Sequence, residues 1–106
     1  MQTRSSITKS EIDQLRNHGE KIVLIDVRSN AEFQEKHITD ALNIPVEEIE
    51  AGKFSLEDNE AIIVTACGKG GGRSERAAAY LRENTFKAYF LDGGTFGWFE
   101  DQQRSN

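Results

Sequence analysis

Cysteine is almost absent from this chain, and Cys67 is the only one. An internal disulfide is therefore excluded. With only His18 and His37 as further strong ligands, a zinc site is not expected, and nothing in the sequence calls for another metal or a cofactor. Proline is equally scarce, with Pro45 standing alone. No stretch approaches the roughly 18–20 continuous apolar residues of a membrane-spanning helix. The opening MQTRSSITKSEID lacks the apolar run of a signal-peptide core, so a cytoplasmic location is expected, although a fragment of a longer chain would look the same. Positive charge is in the minority, with 13 Lys and Arg against 18 Asp and Glu and a net charge of −5. That balance argues against nucleic acid as a partner, and no segment suggests a membrane partner. The 106 residues suit one domain over 1–106, with a core from about 7 to 100.

Local signals divide the chain into alternating elements. Thr8 and Glu11 have the T-x-x-E spacing of a capping box, which predicts a helix start. Ile12 and Leu15 form a short apolar stripe behind it, and Gly19 is placed to end the helix. KIVLIDV is a compact apolar run of the kind expected for a strand buried on both faces. Ser29 and Glu32 repeat the capping-box spacing at the start of NAEFQEKHI, a second short helix. ALNIP reads as a brief strand stopped by Pro45, and VEEIEAG as a turn or two of helix ended by Gly52. AIIVTAC is continuous and β-branched, a strand. SERAAAYLREN is a helix whose alanines, Tyr80 and Leu81 face the core. KAYFL is a last strand, DGGTFGWFED a turn and a short aromatic helix, and QQRSN a frayed tail. Strands alternating with helices imply an α/β fold with a parallel sheet covered on both faces. Ligand sites in such sheets lie at the carboxyl ends of the strands, where Cys67 falls.

The segment from Cys67 to Ser74 has the form strand, turn, first turn of helix. Backbone amides in such a turn can point inward as an anion-binding nest, and the helix N-terminus adds positive potential. Gly68, Gly70, Gly71 and Gly72 allow positive φ and close approach of a ligand to the backbone. Lys69 and Arg73 supply formal charge, Arg73 with a planar fork suited to oxyanions, and Arg76 could add more weakly. The pocket is thus expected to be cationic on an acidic protein. A free thiol titrates near about 8.5, and helix N-termini or neighbouring cations can lower this to roughly 3.5–7.5, so Cys67 is expected to be largely thiolate at neutral pH. A buried small hydrophobe beside a mobile loop is the plainer account of a lone cysteine. The agreement of strand, thiol, glycine turn, arginine and helix favours a nucleophile. The loop matches neither the Walker A pattern nor the dinucleotide fingerprint.

At this point the sequence resembles the single-domain rhodaneses, over roughly Ile7 to Trp98. VLIDVRSNAEFQEKHITDALNIP is similar to the first signature of that family, in which Asp-x-Arg follows a buried strand and His-Ile and Ala-x-Asn-Ile-Pro come later. LDGGTFGW is similar to its closing signature, and the cysteine and Arg-Ser lie between. The resemblance implies a rhodanese-like, five-stranded parallel sheet flanked by helices on both faces. It also implies sulfur transfer: Cys67 takes sulfane sulfur from a small anionic donor such as thiosulfate or from a persulfide. A thiol, cyanide or a protein acceptor then removes it. Amides from Gly68 to Ser74 would cradle the persulfide, and Lys69 and Arg73 would bind the donor and stabilise departing sulfite. A persulfide carrier or anion-binding module with little turnover is the alternative.

Two departures stand out. Five residues separate Cys67 from Arg73 where many single-domain rhodaneses have four. The longer spacing is that of cysteine-based phosphatases and some arsenate reductases, although Ala66 stands where such phosphatases usually carry histidine. HITDA replaces a turn that often contains Pro-Gly. Among the other residues, Asp26 and Arg28 are expected to be an internal ion pair near the site, since buried charges are usually paired. His37 is expected to be a structural hydrogen-bonder; Phe96, Trp98 and Phe99 could wall the mouth of the site, but core packing is the simpler expectation. The acidic stretch VEEIEAGKFSLEDNE is expected to be a solvated face.

Overall fold

Two capping boxes launch the first two helices. Thr8 Oγ1 accepts from the Glu11 amide at 3.1 Å while Glu11 Oε1 accepts from the Thr8 amide at 2.9 Å. Ser29 and Glu32 make the same reciprocal pair at 3.3 and 3.1 Å. In the computed structural model, which describes residues 5–56, 60–69 and 72–104, the elements run β1 (Ser6–Ile7), α1 (Lys9–Asn17), β2 (Ile22–Asp26), α2 (Asn30–Glu35), β3 (Leu42–Asn43), α3 (Val46–Glu50), β4 (Ile62–Ala66), α4 (Gly72–Glu83), β5 (Lys87–Leu91) and α5 (Gly94–Arg104).

The five strands form one all-parallel sheet in the order β1-β5-β4-β2-β3. Adjacent residues of the central strands point to opposite faces, and both faces are covered. On one side α3 and α4 bring Val46, Ile49, Ala77, Ala78 and Leu81 onto Ile25, Ile63 and Ala88. On the other, Ile12 of α1 and Trp98 of α5 meet Leu24, Val64 and Leu91. Ile63 and Val64 are both fully buried, and each such side chain contributes about 1.5–3 kcal/mol. Two-sided burial is why these strands read as continuous apolar runs instead of alternating ones. Among the described residues, no helix is long and apolar enough to cross a membrane.

Three features differ from the sequence reading. β1 has no sequence signal, because a strand pairing only Ser6 with Phe90 and Ile7 with Leu91 is too short to show a period. α2 stops at Glu35, short of the stretch NAEFQEKHI, and Lys36 is extended at φ −168°. There Arg28 Nη2 donates to the Lys36 carbonyl at 2.6 Å, taking an acceptor the next helical turn would need. α5 runs through Arg104, so Gln102 and Gln103 are helical where a frayed tail was expected. No glycine or proline follows Gly97 to break it, and Glu, Gln and Arg are good helix formers.

Three helices end in the same motif, in which an amide reaches back five residues around a left-handed residue. Gly19 (φ 87°) and Gly52 (φ 77°) serve α1 and α3. At the end of α4 the residue is Thr85, at φ 74°, with the Phe86 amide donating to the Leu81 carbonyl at 3.0 Å. Asp40, in the HITDA turn, is also left-handed at φ 72°. The Pro-Gly departure therefore changes the side chain and keeps the backbone shape that glycine favours, which Asp tolerates better than most residues. Threonine is β-branched, and the left-handed region costs an L-residue about 1–2 kcal/mol. Glycine's extra freedom when unfolded recovers about 0.5–1 kcal/mol of that. Thr85→Gly is therefore expected to raise stability by about 0.5–1 kcal/mol in urea unfolding, with an unchanged m-value. A lowered midpoint would show that Thr85 is not strained.

Candidate active site

Hydrogen bonds from several elements hold the backbone around Cys67. The buried Thr65 hydroxyl donates to the Ser74 carbonyl at 2.8 Å, fastening the first turn of α4 to β4. The Thr95 amide donates to the Cys67 carbonyl at 2.8 Å and the Phe96 amide to the Gly68 carbonyl at 3.1 Å, so the start of α5 closes over the same loop. Cys67 follows the last residue of β4 and is 6 % exposed, with its Sγ 3.3 Å from Ser74 Oγ. An open pocket of about 530 Å³ reaches it. Of the residues expected at the site, Cys67, Gly68, Lys69, Gly72 and Arg73 line this pocket, and Ser74 lies against the sulfur. Gly70 and Gly71 lie outside the described residues.

Glu32 and Phe96 line the pocket too; Glu32 was not expected there, and for Phe96 core packing was the favoured expectation over a wall of the site. Glu32 belongs to the capping box of α2, and its carboxylate also receives both ends of the Arg73 fork, Nη1 to Oε1 at 2.9 Å and Nη2 to Oε2 at 3.1 Å. The Arg73 hydrogen bond, then the Ser29 amide, hold the Glu32 carboxyl down to about 2. Arg73 in turn is held above its ordinary value, first by its hydrogen bond to Glu32, with the Glu32 and Cys67 charges adding. The pocket is therefore less cationic than its loop suggests, because Arg73 arrives already paired. Phe96 is 47 % exposed, and a Cβ on Gly68 would come within 3.3 Å of its ring. Phe96 thus forms a wall of the site instead of joining the core, while Trp98 and Phe99 pack into the core as expected.

Asp26 and Arg28 form a buried, two-pronged ion pair. Arg28 Nη2 donates to Asp26 Oδ2 at 2.8 Å and Nε to Oδ1 at 3.0 Å, with side chains 3 % and 1 % exposed. The Arg28 backbone amide also donates to Asp26 Oδ1, and Asn43 Nδ2 donates to the carbonyls of both residues. The Asp26 hydrogen bond raises the Arg28 pKa further above its already basic value, against the opposing pull of burial. Arg28 lies 5.9 Å from the centre of the Phe96 ring, so the pair stands beside the pocket without lining it.

The arrangement of a buried thiol at a strand's carboxyl end, a helix starting just beyond it and a fastened loop has counterparts among known proteins. Residues 8–101 match the Rhodanese-like domain family. This chain belongs to that family. The human single-domain sulfurtransferase TSTD1 superposes on this rhodanese-like domain with a TM-score of 0.77 and 26 % identity, over 92 % of this chain and 97 % of that one. Among curated relatives, "Probable molybdopterin-synthase adenylyltransferase" of Porphyra purpurea is 30 % identical over 89 % of this chain and 26 % of its own length. The tRNA uridine(34) hydroxylase of Buchnera aphidicola is 32 % identical over 79 % of this chain and 28 % of its own length. The rhodanese-like domain thus spans about a quarter of these two relatives.

The remaining expected residues stand away from the thiol. Arg76 does not reach the pocket, because Glu50 of α3 holds its guanidinium at 2.8 and 3.0 Å. That pairing also takes one carboxylate from the acidic stretch, whose residues Glu57, Asp58 and Asn59 lie outside the described residues. His37 stacks on Phe33 at 3.7 Å between ring centres, and its Nδ1–H donates to the Phe33 carbonyl. A cleft of about 570 Å³ between β1 and α1 contains no thiol. Among the described residues, no three His, Cys, Asp or Glu side chains cluster to hold a metal.

Removing one partner of a buried ion pair typically costs about 3–5 kcal/mol, so Asp26→Ala is expected to lose that much in urea unfolding. Adding Arg28→Ala should cost much less than a second such loss, and full additivity would show the pair to be uncoupled. The depressed Glu32 carboxyl has a defined sign: its contribution to stability is present above about 4.5, its ordinary value, and is lost as pH falls toward 2. Carbon-13 NMR titration should find Glu32 near 2 and shifted upward in Arg73→Ala. An unshifted Glu32 in that variant would mean that the Arg73 contact does not form in solution.

Proposed function

We propose that this domain transfers sulfane sulfur through a persulfide on Cys67. The observation that carries this reading is the thiol at the floor of an open pocket, at the carboxyl end of β4 and ahead of α4, with Lys69 and Arg73 on the lining. With thiosulfate as donor, the Sγ thiolate attacks the outer sulfur, an Sγ–S bond forms, and the S–S bond breaks with its electron pair leaving on sulfite. A thiolate or cyanide acceptor then attacks the outer sulfur, and the Sγ–S pair returns to Cys67. One cysteine suffices because the acceptor comes from outside. The α4 N-terminus and Lys69 would lower the energy of negative charge on the bound sulfur and the departing group.

The five-residue spacing between Cys67 and Arg73 invites a phosphatase or arsenate reductase reading. Two features weaken it. Arg73, which would have to grip the oxyanion, is engaged by Glu32. Glu32 is also the carboxylate beside the thiol, and with its pKa near 2 it has no proton to give a leaving group at neutral pH.

The test is intact-protein mass after incubation with thiosulfate or a low-molecular-weight persulfide, then again after cyanide. The expected result is a gain of one sulfur atom, lost with production of thiocyanate. In Cys67→Ser both steps are expected to vanish while the far-UV circular dichroism is unchanged. Transfer by Cys67→Ser at the wild-type rate would sink the mechanism. Loading without release to cyanide or small thiols would instead identify a carrier. Hydrolysis of an aryl phosphate, blocked by vanadate, would favour the phosphatase.

A further inference from the structure

We propose that Glu32 is a specificity-determining residue of this site: by occupying the fork of Arg73 it selects sulfur donors of low negative charge. The inference rests on the persulfide reading above and concerns which donor loads Cys67.

Formal charge around the thiol is nearly balanced. Arg73 and Lys69 are the cations that line the pocket, Glu32 is its carboxylate, and a Cys67 thiolate adds a second negative charge. Arg28 contributes no free charge, because Asp26 neutralises it in a buried pair. A dianion such as thiosulfate therefore enters a pocket without net positive charge. To gain the Arg73 fork it must displace a carboxylate held through two hydrogen bonds at 2.9 and 3.1 Å. An alkyl persulfide carries at most one negative charge and no oxyanion group to place in the fork, so it needs no such displacement. Its carbon chain also finds an apolar surface, the ring of Phe96, which lines the same pocket and is 47 % exposed.

The latch is of a strength that a donor can open. Both side chains of the Glu32–Arg73 pair are 40 % exposed, and exposed pairs contribute little net free energy. It therefore biases donors by a modest factor without closing the site. Glu32 remains ionised through the neutral range, so its own charge is constant there. For a donor R–S–SH, the Cys67 thiolate attacks the outer sulfur and an Sγ–S bond forms. The S–S bond breaks with its electron pair leaving as R–S⁻, and the outer sulfur keeps its proton, giving Cys67–S–SH. The step needs no oxidant, reductant or further reactant.

Glu32→Gln tests this with the helix start kept, since glutamine retains an oxygen that accepts from Ser29 in the capping box while losing the charge and the second acceptor of the Arg73 fork. Loading of Cys67 is followed by intact mass against increasing thiosulfate and, separately, 2-hydroxyethyl persulfide. Wild-type protein is expected to load with the higher kcat/KM from the persulfide. In Glu32→Gln, kcat/KM for thiosulfate should rise about tenfold, equivalent to about 1.4 kcal/mol, mainly through KM, while the persulfide value stays within about twofold. Ser29→Ala, which loosens the same helix start without changing pocket charge, should leave the donor ratio unchanged. Sulfite affinity, measured by calorimetry at about pH 8 where sulfite is a dianion, should tighten about tenfold in Glu32→Gln and reports without turnover. A thiosulfate kcat/KM that is unchanged or lower in Glu32→Gln, both donors shifting together, or unchanged sulfite affinity would overturn the role of Glu32 and leave the persulfide mechanism standing. Failure of both donors to load wild-type Cys67 would overturn the mechanism, and this inference with it.

Discussion

The buried pair of Asp26 and Arg28 is the constraint on which the arrangement of the site depends. It sits at the carboxyl end of β2 and ties together the end of α2, the neighbouring strand β3 and the start of α5. Through Arg28 it holds the carbonyl of Lys36 at the end of α2, and through the carbonyls of both residues it holds Asn43 of β3. Arg28 also stands under the ring of Phe96 from α5. Burying two charges is expensive unless each lone pair and proton finds a partner, and here bidentate geometry and backbone contacts supply them. The outcome is positional. α2 is held against the sheet edge, so Glu32 on its first turn faces Arg73 on the first turn of α4.

From that placement the chemistry of the pocket follows in steps. β4 ends at Ala66, so the next residue emerges at the sheet edge where helix N-termini gather. Thr65 and the amides of Thr95 and Phe96 fasten the loop from both sides, which limits how far the sulfur can move. The fastening has a cost: Thr95 Oγ1 is fully buried and finds no hydrogen-bond partner among the described residues. Around the thiol, a paired arginine, an exposed lysine and an aromatic wall make a site of low net charge on an acidic protein. Whole-protein charge says nothing about that local balance.

Much of the architecture was legible because it is written in short-range pattern. Thr8 with Glu11 and Ser29 with Glu32 satisfy amides three residues away, so spacing alone locates those helix starts. KIVLIDV and AIIVTAC are nearly continuous apolar runs because both faces of the sheet are covered, and this reads directly as a central parallel strand. Features that depend on distant partners were not legible. β1 is two residues long and exists only because β5 offers an edge. The early end of α2 depends on Arg28 capturing a carbonyl eight residues away in sequence. The second role of Glu32 was hidden by the first, since the capping-box spacing already accounted for a glutamate at that position.

The sequence by itself determined the fold class and the single thiol on which a site could be built. Hydrophobic period, caps and turn residues act within a few residues of one another, and one cysteine in a glycine turn after a buried strand leaves no rival thiol. Only the tertiary structure decided what surrounds that thiol. Glu32 lies 41 residues from Arg73, and Phe96 reaches Gly68 only once α5 has folded back over the sheet edge. Arg76, adjacent in sequence to the loop, is drawn off to Glu50. Charge pairing operates through space over a few ångströms. Which cation remains available to a ligand was therefore settled by where the helices pack and not by which residues neighbour the cysteine along the chain.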